Sequence, residues 1–215
     1  MSLRSITLKL SSGLLAALTL AFAVSHSNAQ PLDESTYKPV ATQFNVSSGD
    51  KIEVAELFWF GCGHCFALEP TVKKWNANKP DNVEFVKIPA IFSKRWEFHG
   101  KAFYTMKALN VPEEAYDAFF HSIHIKRKQI NNLGALTEFL AKFDKTEDQI
   151  NSAFNSFEVD SKVRAAIKIS RQSGATGVPT IVVDGKYQTS QGMTGGVDGL
   201  FKTVDLLVEK AASER

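Results

Sequence analysis

Two kinds of apolar pattern divide the chain. From Ile52 to Phe60 (Ile-Glu-Val-Ala-Glu-Leu-Phe-Trp-Phe) both alternating faces are apolar apart from Glu53 and Glu56. That pattern predicts a strand inside a sheet covered on both sides. Phe66, Leu68, Val72 and Trp75 then mark a helix, with Pro70 expected to kink it because proline lacks a backbone donor. After the turn Lys79-Pro80-Asp81-Asn82, a second apolar strand runs from Val83 to Ile88. A strand–helix–strand order predicts parallel neighbours.

Between about Lys94 and Gly174 the period changes to that of helices. Stripes recur at Phe98, Ala102 and Met106, at Tyr116, Phe119 and Phe120, and at Leu133, Leu136, Phe139 and Leu140. Thr146 with Asp148 and Gln149 opens a short helix through Phe154, and Val159, Val163, Ala166, Ile167 and Ser170 line a longer one closed by Gly174. Some eighty helical residues inserted into a sheet domain are expected to form a small bundle of their own. Strands resume at Thr180–Val183, turn at Asp184-Gly185 as a type I′ hairpin, and return through Tyr187–Ser190. A last helix follows Gly195-Gly196, burying Leu200, Val204, Leu207, Val208 and Ala211. The fold class expected is α/β, divided as 30–93, an inserted helical domain at 94–174, and 175–215.

Residues 1–29 have a different character. Arg4 and Lys9 precede an apolar run of about 15 residues, Leu10 to Val24, followed by Ser27-Asn28-Ala29. A basic start, a short apolar run and a small-x-small ending predict a cleavable secretory signal peptide. The run falls short of the roughly 20 residues that span a bilayer. Cleavage after Ala29 leaves 186 of the 215 residues, and loss of the two leader bases takes the formal charge from +2 to zero. Neither a nucleic-acid partner nor electrostatic steering by overall charge is then expected. With 44% hydrophobic and 22% charged residues, the composition is that of a folded globular chain.

Two cysteines allow at most one disulfide, and an exported chain meets a compartment where one can persist. Cys62-Gly63-His64-Cys65 lies where a buried strand ends and a helix begins. As a staple this is poorly placed, since closing a loop of about four residues is worth roughly 2 kcal/mol. A structural zinc site needs four ligands and no third cysteine exists. His99, His121 and His124 remain, the last two three apart on one helical face, and no metal site is expected. A redox role explains the position. A thiolate at a helix N-terminus faces unpaired N–H groups and the positive end of the helix dipole, and His64 in the first turn adds a donor or a charge. Cys62 is expected to be the nucleophile and Cys65, one turn inward, the resolving thiol. Each pKa unit lost by Cys62 represents about 1.4 kcal/mol of thiolate stabilisation, which makes the disulfide form a stronger oxidant.

Glu56 shares a strand face with Val54 and Phe58, and Lys87 shares one with Val83 and Phe85. An isolated buried charge is very costly, so the two are expected either to pair beneath the helix or to sit at strand ends in solvent. Paired, they would form a proton store coupled to Cys65.

Cys62-Gly63-His64-Cys65 after Phe58-Trp59-Phe60, with Glu56 upstream, resembles the thioredoxin-superfamily active site, and Gly177-Val178-Pro179-Thr180 resembles that superfamily's cis-proline loop. The large helical insertion, Asp184-Gly185-Lys186-Tyr187 and Gln191-Gly192-Met193 resemble the DsbA family of bacterial periplasmic dithiol oxidases. The resemblance covers essentially the whole chain after the leader. It implies a thioredoxin-like fold with an inserted all-helical domain, and a redox pair Cys62–Cys65 with no other cofactor. It also implies a cis Pro179 with Val178 presenting backbone to an extended substrate peptide. Glu56 and Lys87 match the family's buried acid and lysine, and Glu69 a further acid. Implied partners are unfolded exported polypeptides with cysteines and a DsbB-like, quinone-linked inner-membrane oxidase that renews the disulfide. Nothing requires more than a monomer. The dipeptide Gly63-His64 departs from the family's usual Pro-His and resembles that of eukaryotic disulfide isomerases, and Pro70 resembles thioredoxin.

Three other functions compete with the oxidase. An isomerase or reductase of this superfamily usually carries an N-terminal dimerisation domain, for which about twenty residues between Gln30 and Ile52 leave no room. A peptide-binding chaperone would use the phenylalanine-rich helices and leave the thiols incidental. An inert structural protein would hold its bridge against mild reductant.

Overall fold

The computed structural model describes residues 31–215, so the leader read at 1–29 lies outside the described residues. A two-residue strand β1 (Lys38–Pro39) precedes β2 (Ile52–Phe58), α1 (Gly63–Asn78) and β3 (Val83–Pro89). Helices α2 (Lys94–Ala108), α3 (Glu113–His124), α4 (Leu133–Leu140), α5 (Glu147–Phe154) and α6 (Phe157–Ser173) follow. The chain then returns through β4 (Thr180–Val183), β5 (Tyr187–Thr189), the single turn α7 (Gln191–Thr194) and α8 (Val197–Ser213). The strands lie in the order β1-β5-β4-β2-β3, with β2 and β3 parallel and the other neighbours antiparallel.

Every residue of β2 is buried, because helices cover both faces of the sheet. Ile52 and Val54 pack with Leu68 and Val72 of α1 and with Leu200, Val204 and Leu207 of α8. Ala55 and Leu57, on the opposite face, pack with Val159, Val163 and Ala166 of α6. Alternation thus sends Glu56 and Phe58 to the α1 side.

Local chemistry sets several boundaries. Thr146 and Gln149 form a reciprocal capping box at the start of α5. Gly174 ends α6 with φ +67°, where a Cβ would meet that of Ala41 at 2.8 Å. Asp184 and Gly185 both have positive φ, +54° and +62°, as a type I′ turn requires. The buried Asp184 carboxylate is held by Arg215 at 2.5 Å and Lys186 at 3.2 Å, which ties the last residue to the hairpin.

The structure departs from the sequence reading in four places. Strand β2 stops at Phe58, two residues early, because Trp59 begins a turn closed by the Cys62 N–H on the Trp59 carbonyl at 2.8 Å. Strand β1 and the single turn α7 are too short to carry a period. The core of the helical segment is also completed from outside it. Phe58 and Phe60 from the end of β2, with Cys65, share one core with Phe103, Met106, Phe119, Phe120, Leu136 and Leu140. α6 lies flat on the sheet. The helical segment therefore walls the end of the sheet where the cysteines stand.

Candidate active site

Strand β2 delivers the chain to the N-terminus of α1, where Cys62 is the N-cap residue. Its sulfur accepts a hydrogen bond from the Cys65 N–H at 3.3 Å, and its thiol donates to the Val178 carbonyl at 3.4 Å. Cys65 is fully buried, Cys62 partly so, and Gly63 and His64 are exposed. The Cys62 thiol is held down to about 6. The Cys65 thiol's hydrogen bond contributes most; partial burial opposes it, and the N–H groups of Cys65 and His64 and the His64 charge assist. Burial pushes the Cys65 thiol far up, reinforced by its bond to Cys62 and by the Glu56 charge. One thiol is thus prepared to ionise and its neighbour to stay protonated.

Two glycines flank Cys62 for different reasons. A Cβ on Gly61 would lie 2.3 Å from the Trp59 ring, so only glycine fits the turn. A Cβ on Gly63 would meet nothing within 4 Å. Packing therefore does not demand the Gly-His dipeptide.

The Val178–Pro179 peptide is cis, in the loop joining α6 to β4. Thr180 closes that loop through its hydroxyl, which donates to the Gly177 carbonyl at 2.8 Å. Val178 therefore stands against Cys62 while Gly177 faces solvent.

Glu56 and Lys87 face each other in the β2–β3 register. Glu56 is 0% exposed, which excludes the strand-end alternative. Lys87 divides its contacts: its Nζ hydrogen-bonds Glu69 of α1 and stays 3.8 Å from Glu56 Oε2. Neither Glu56 oxygen has a hydrogen-bond partner among the described residues. Burial pushes the Glu56 carboxyl up to about 7, against the pull of Lys87 and with the charges of Glu69 and Cys62 adding to it. On Lys87 burial acts downward, and the two carboxylates outweigh it and raise it. The expected pair is thus a trio in which Glu56 is the less satisfied acid.

Two histidines matter that sequence reading did not place. The His124 Nε2–H donates to the Phe60 carbonyl at 2.8 Å, and the ring stacks on Phe66 at 5.0 Å and 9°. The end of α3 thereby braces both sides of the cysteine loop. No periodicity could have shown this, because the acceptor is a backbone carbonyl 64 residues away. His99 is 4% exposed among aromatic rings, with Nε2 on the Ile130 carbonyl at 3.0 Å and Nδ1 without a partner among the described residues. Among the described residues, no group of three or more His, Cys, Asp or Glu side chains is placed to hold a metal ion, and no helix is long and apolar enough to cross a membrane.

His99 carries a pH prediction. Burial holds it down to about 4, against 6.5 for a free imidazole. Between those values the unfolded chain binds a proton that the folded chain excludes, so stability falls as pH drops from 6.5 towards 4. Glu56 acts oppositely, since its raised pKa favours the folded state as pH falls from 7 to 4.5. The variant His99→Phe separates the two. Chemical denaturation at pH 6.5 and 4.5 should show the variant gaining roughly 2–3 kcal/mol on the wild type between them. An unchanged difference would mean that His99 takes up its proton inside the fold.

A family model described as a DSBA-like thioredoxin domain matches residues 97–208, just over half of the chain and beginning after the cysteine pair. The thiol:disulfide interchange protein DsbA of Pseudomonas aeruginosa is 37% identical over 174 residues, 81% of this chain and 82% of that protein. Its namesake from Burkholderia cepacia is 33% identical over 210 residues, 97% of each. The crystal structure of Pseudomonas aeruginosa DsbA superposes with a TM-score of 0.78 at 37% identity, covering 84% of this chain and 95% of that one. An oxidoreductase DsbA from Xylella fastidiosa does so with a TM-score of 0.78 at 26% identity, covering 85% and 98%. With its thioredoxin-like sheet, its helical insertion and these relatives, the chain belongs to the DsbA family of thiol:disulfide interchange proteins.

Proposed function

We propose that this chain is a periplasmic dithiol oxidase that donates the Cys62–Cys65 disulfide to newly exported polypeptides. The observation that carries the reading is the contrast between the two thiols: Cys62 capping α1 with its pKa drawn to about 6, Cys65 buried behind it with its pKa raised. In the oxidised enzyme a client thiolate attacks Cys62 Sγ, the accessible sulfur. The Cys62–Cys65 bond breaks, its electron pair goes to the Cys65 sulfur, and that sulfur takes a proton. A second client thiolate then attacks the client sulfur of the mixed disulfide. Cys62 leaves as the thiolate that the helix N-terminus and His64 stabilise. The client leaves oxidised and the enzyme remains as the dithiol.

The other residues have supporting parts. The Val178 backbone beside cis Pro179 offers an edge for an extended client strand next to Cys62. Glu56 and Lys87, with Glu69, hold the proton that Cys65 gains and loses. The redox pair needs no further cofactor. A quinone-linked, DsbB-like membrane oxidase would restore the disulfide, the leader pattern supports periplasmic export, and the chain works as a monomer. The isomerase or reductase alternative is not favoured by the family.

Equilibration against glutathione buffers tests the reading. At pH 7 a thiol shifted from 9 to about 6 gains at most about 1.4 kcal/mol as thiolate, or about 30 mV in favour of the dithiol. The measured potential should lie well above the roughly −270 mV of a thioredoxin-type reductase. A value at or below that figure would overturn the oxidase.

A further inference from the structure

Strand β3 is an edge of the sheet: among the described residues its one neighbour is β2. The ladder between them uses alternate residues. The Ile52 N–H donates to the Asn82 carbonyl at 2.9 Å, and at the other end the Ala90 N–H donates to the Phe58 carbonyl at 2.8 Å. A parallel ladder in that register engages Glu84, Val86 and Ile88 and turns the backbone of Phe85 and Lys87 outward. The N–H and C=O groups of those two residues have no hydrogen-bond partner among the described residues. A groove of about 840 Å³ runs along this edge, lined by every residue from Glu84 to Ile88. Helices wall it from both faces of the sheet, α1 through Lys73 and Asn76 and α6 through Ala165 and Ile169. Pro89, which has no N–H, ends the edge.

A row of unpaired backbone groups is a template for one more strand. The recess decides what can reach it. A second copy of the chain would bring its own α1 and α6 to the same place, so two β3 edges cannot meet. A lone extended segment can enter. Five residues make a strand about 17 Å long, 4.8 Å wide and, with side chains, about 10 Å deep, which is roughly the volume of the groove. Charge does not choose the occupant. Lys107 and Lys162 line the groove without an acidic partner among the described residues, and Glu113 and Glu158 line it without a basic one. The walls choose by alternation. The α6 side offers Val86, Ile88 and Ile169 to apolar side chains, and the α1 side offers Lys73, Asn76 and Lys87 to polar ones. We propose that the β3 edge binds one extended polypeptide segment as an added strand, about five residues long, with apolar and polar side chains alternating. The segment needs no cysteine. The site holds an unfolded chain by its backbone, independently of the sulfur chemistry at Cys62.

The test uses a fluorescent, cysteine-free peptide, Thr-Val-Thr-Val-Thr-Val with blocked ends, and fluorescence anisotropy. The wild type and Cys62→Ser should bind it with equal Kd. Two further peptides carry N-methyl groups on the valines alone or on the threonines alone. A strand pairs with β3 through one of its edges, so one methylated peptide should bind roughly tenfold or more weakly and the other as the parent does. On the protein side, Ala165→Trp fills the groove from the exposed face of α6 and should weaken binding by a similar factor. Phe85→Pro removes one outward N–H without touching the ladder to β2 and should do the same. Both variants should oxidise dithiothreitol at the wild-type rate, which reports that they fold. The methylated peptides test the site on the wild type alone. Absence of binding, equal affinities for the two methylated peptides, or wild-type affinity in Ala165→Trp overturns the added strand and leaves the oxidase standing. Self-association of the protein that excludes the peptide assigns the edge to a second copy and overturns it as well.

Discussion

Cys62→Ser is expected to abolish disulfide transfer, whereas Cys65→Ala is expected to stop exchange with a client disulfide at the mixed disulfide. The two sulfurs are separated by one helical turn and by burial, and the chemistry divides along that line. Cys62, at the N-cap, is the sulfur a client can reach. A serine there caps the helix equally well, so the fold should survive while oxidation of a dithiol peptide falls to the uncatalysed rate. A chaperone using the phenylalanine-rich helices would keep its activity in the same variant. Cys65→Ala has no disulfide to donate, but its Cys62 thiolate can still attack a client disulfide, releasing one client sulfur as thiolate. The thiol that would then displace the client is gone. The complex should persist on a non-reducing gel and dissolve on adding reductant. This second variant has a further readout. The hydrogen bond from the Cys65 thiol is the largest cause holding Cys62 down to about 6, so the thiolate's ultraviolet absorbance should titrate at higher pH in Cys65→Ala. Transfer that continues in Cys62→Ser, or a Cys62 titration that stays in place, would show that the reacting sulfur has been misassigned.

The legible part of this molecule is the part written in contiguous residues. Thr146 and Gln149, Asp184 and Gly185, and Gly174 each act within a few positions, and each produced the cap or turn expected of it. The same holds for Cys62, because a buried strand running into a helix places the next residue at the helix N-terminus. What could not be read depends on how elements face one another. Lys87 bonds Glu69 in preference to Glu56, a choice set jointly by the β2–β3 register and the rotation of α1. Neither quantity appears in a period of two or 3.6. His124 bonds a carbonyl, and carbonyls carry no residue identity. Strand β1 gains its structure from pairing with β5, and two residues cannot alternate visibly. The helical segment reads as self-contained because its stripes are strong. The aromatic residues ending β2 complete its core, and they look from the sequence like the last residues of a strand.

Glu56→Gln should slow the steps that protonate or deprotonate Cys65 and should stabilise the protein above neutral pH. Both effects follow from a carboxylate that is 0% exposed with no hydrogen-bond partner among the described residues. When a client attacks Cys62, the sulfur of Cys65 becomes an anion in a site where burial strongly favours the thiol. A carboxyl drawn up to about 7 can supply that proton at neutral pH and accept it again when the disulfide is renewed. Glutamine can do neither. One consequence opposes this: without the Glu56 charge, Cys65 ionises more easily and leaves more readily. Burial remains the leading cause at Cys65, so loss of the proton carrier should dominate. A slowing of roughly a hundredfold is expected, the lower end for general acid–base help. The inflection near pH 7 should disappear from the stopped-flow profile. Stability moves the other way. The folded pKa of about 7 lies above the ordinary 4.5, so the folded state is favoured by the bound proton at low pH and loses that advantage as pH rises through 7. Above that point the ionised side chain costs up to about 3 kcal/mol, which the variant no longer bears. Denaturation of Glu56→Gln should therefore show a gain at pH 8 that shrinks towards pH 5. A rate profile and a stability difference that both stay flat across this range would remove Glu56 from the proton path, leaving Lys87 and Glu69 as an ordinary ion pair between strand and helix.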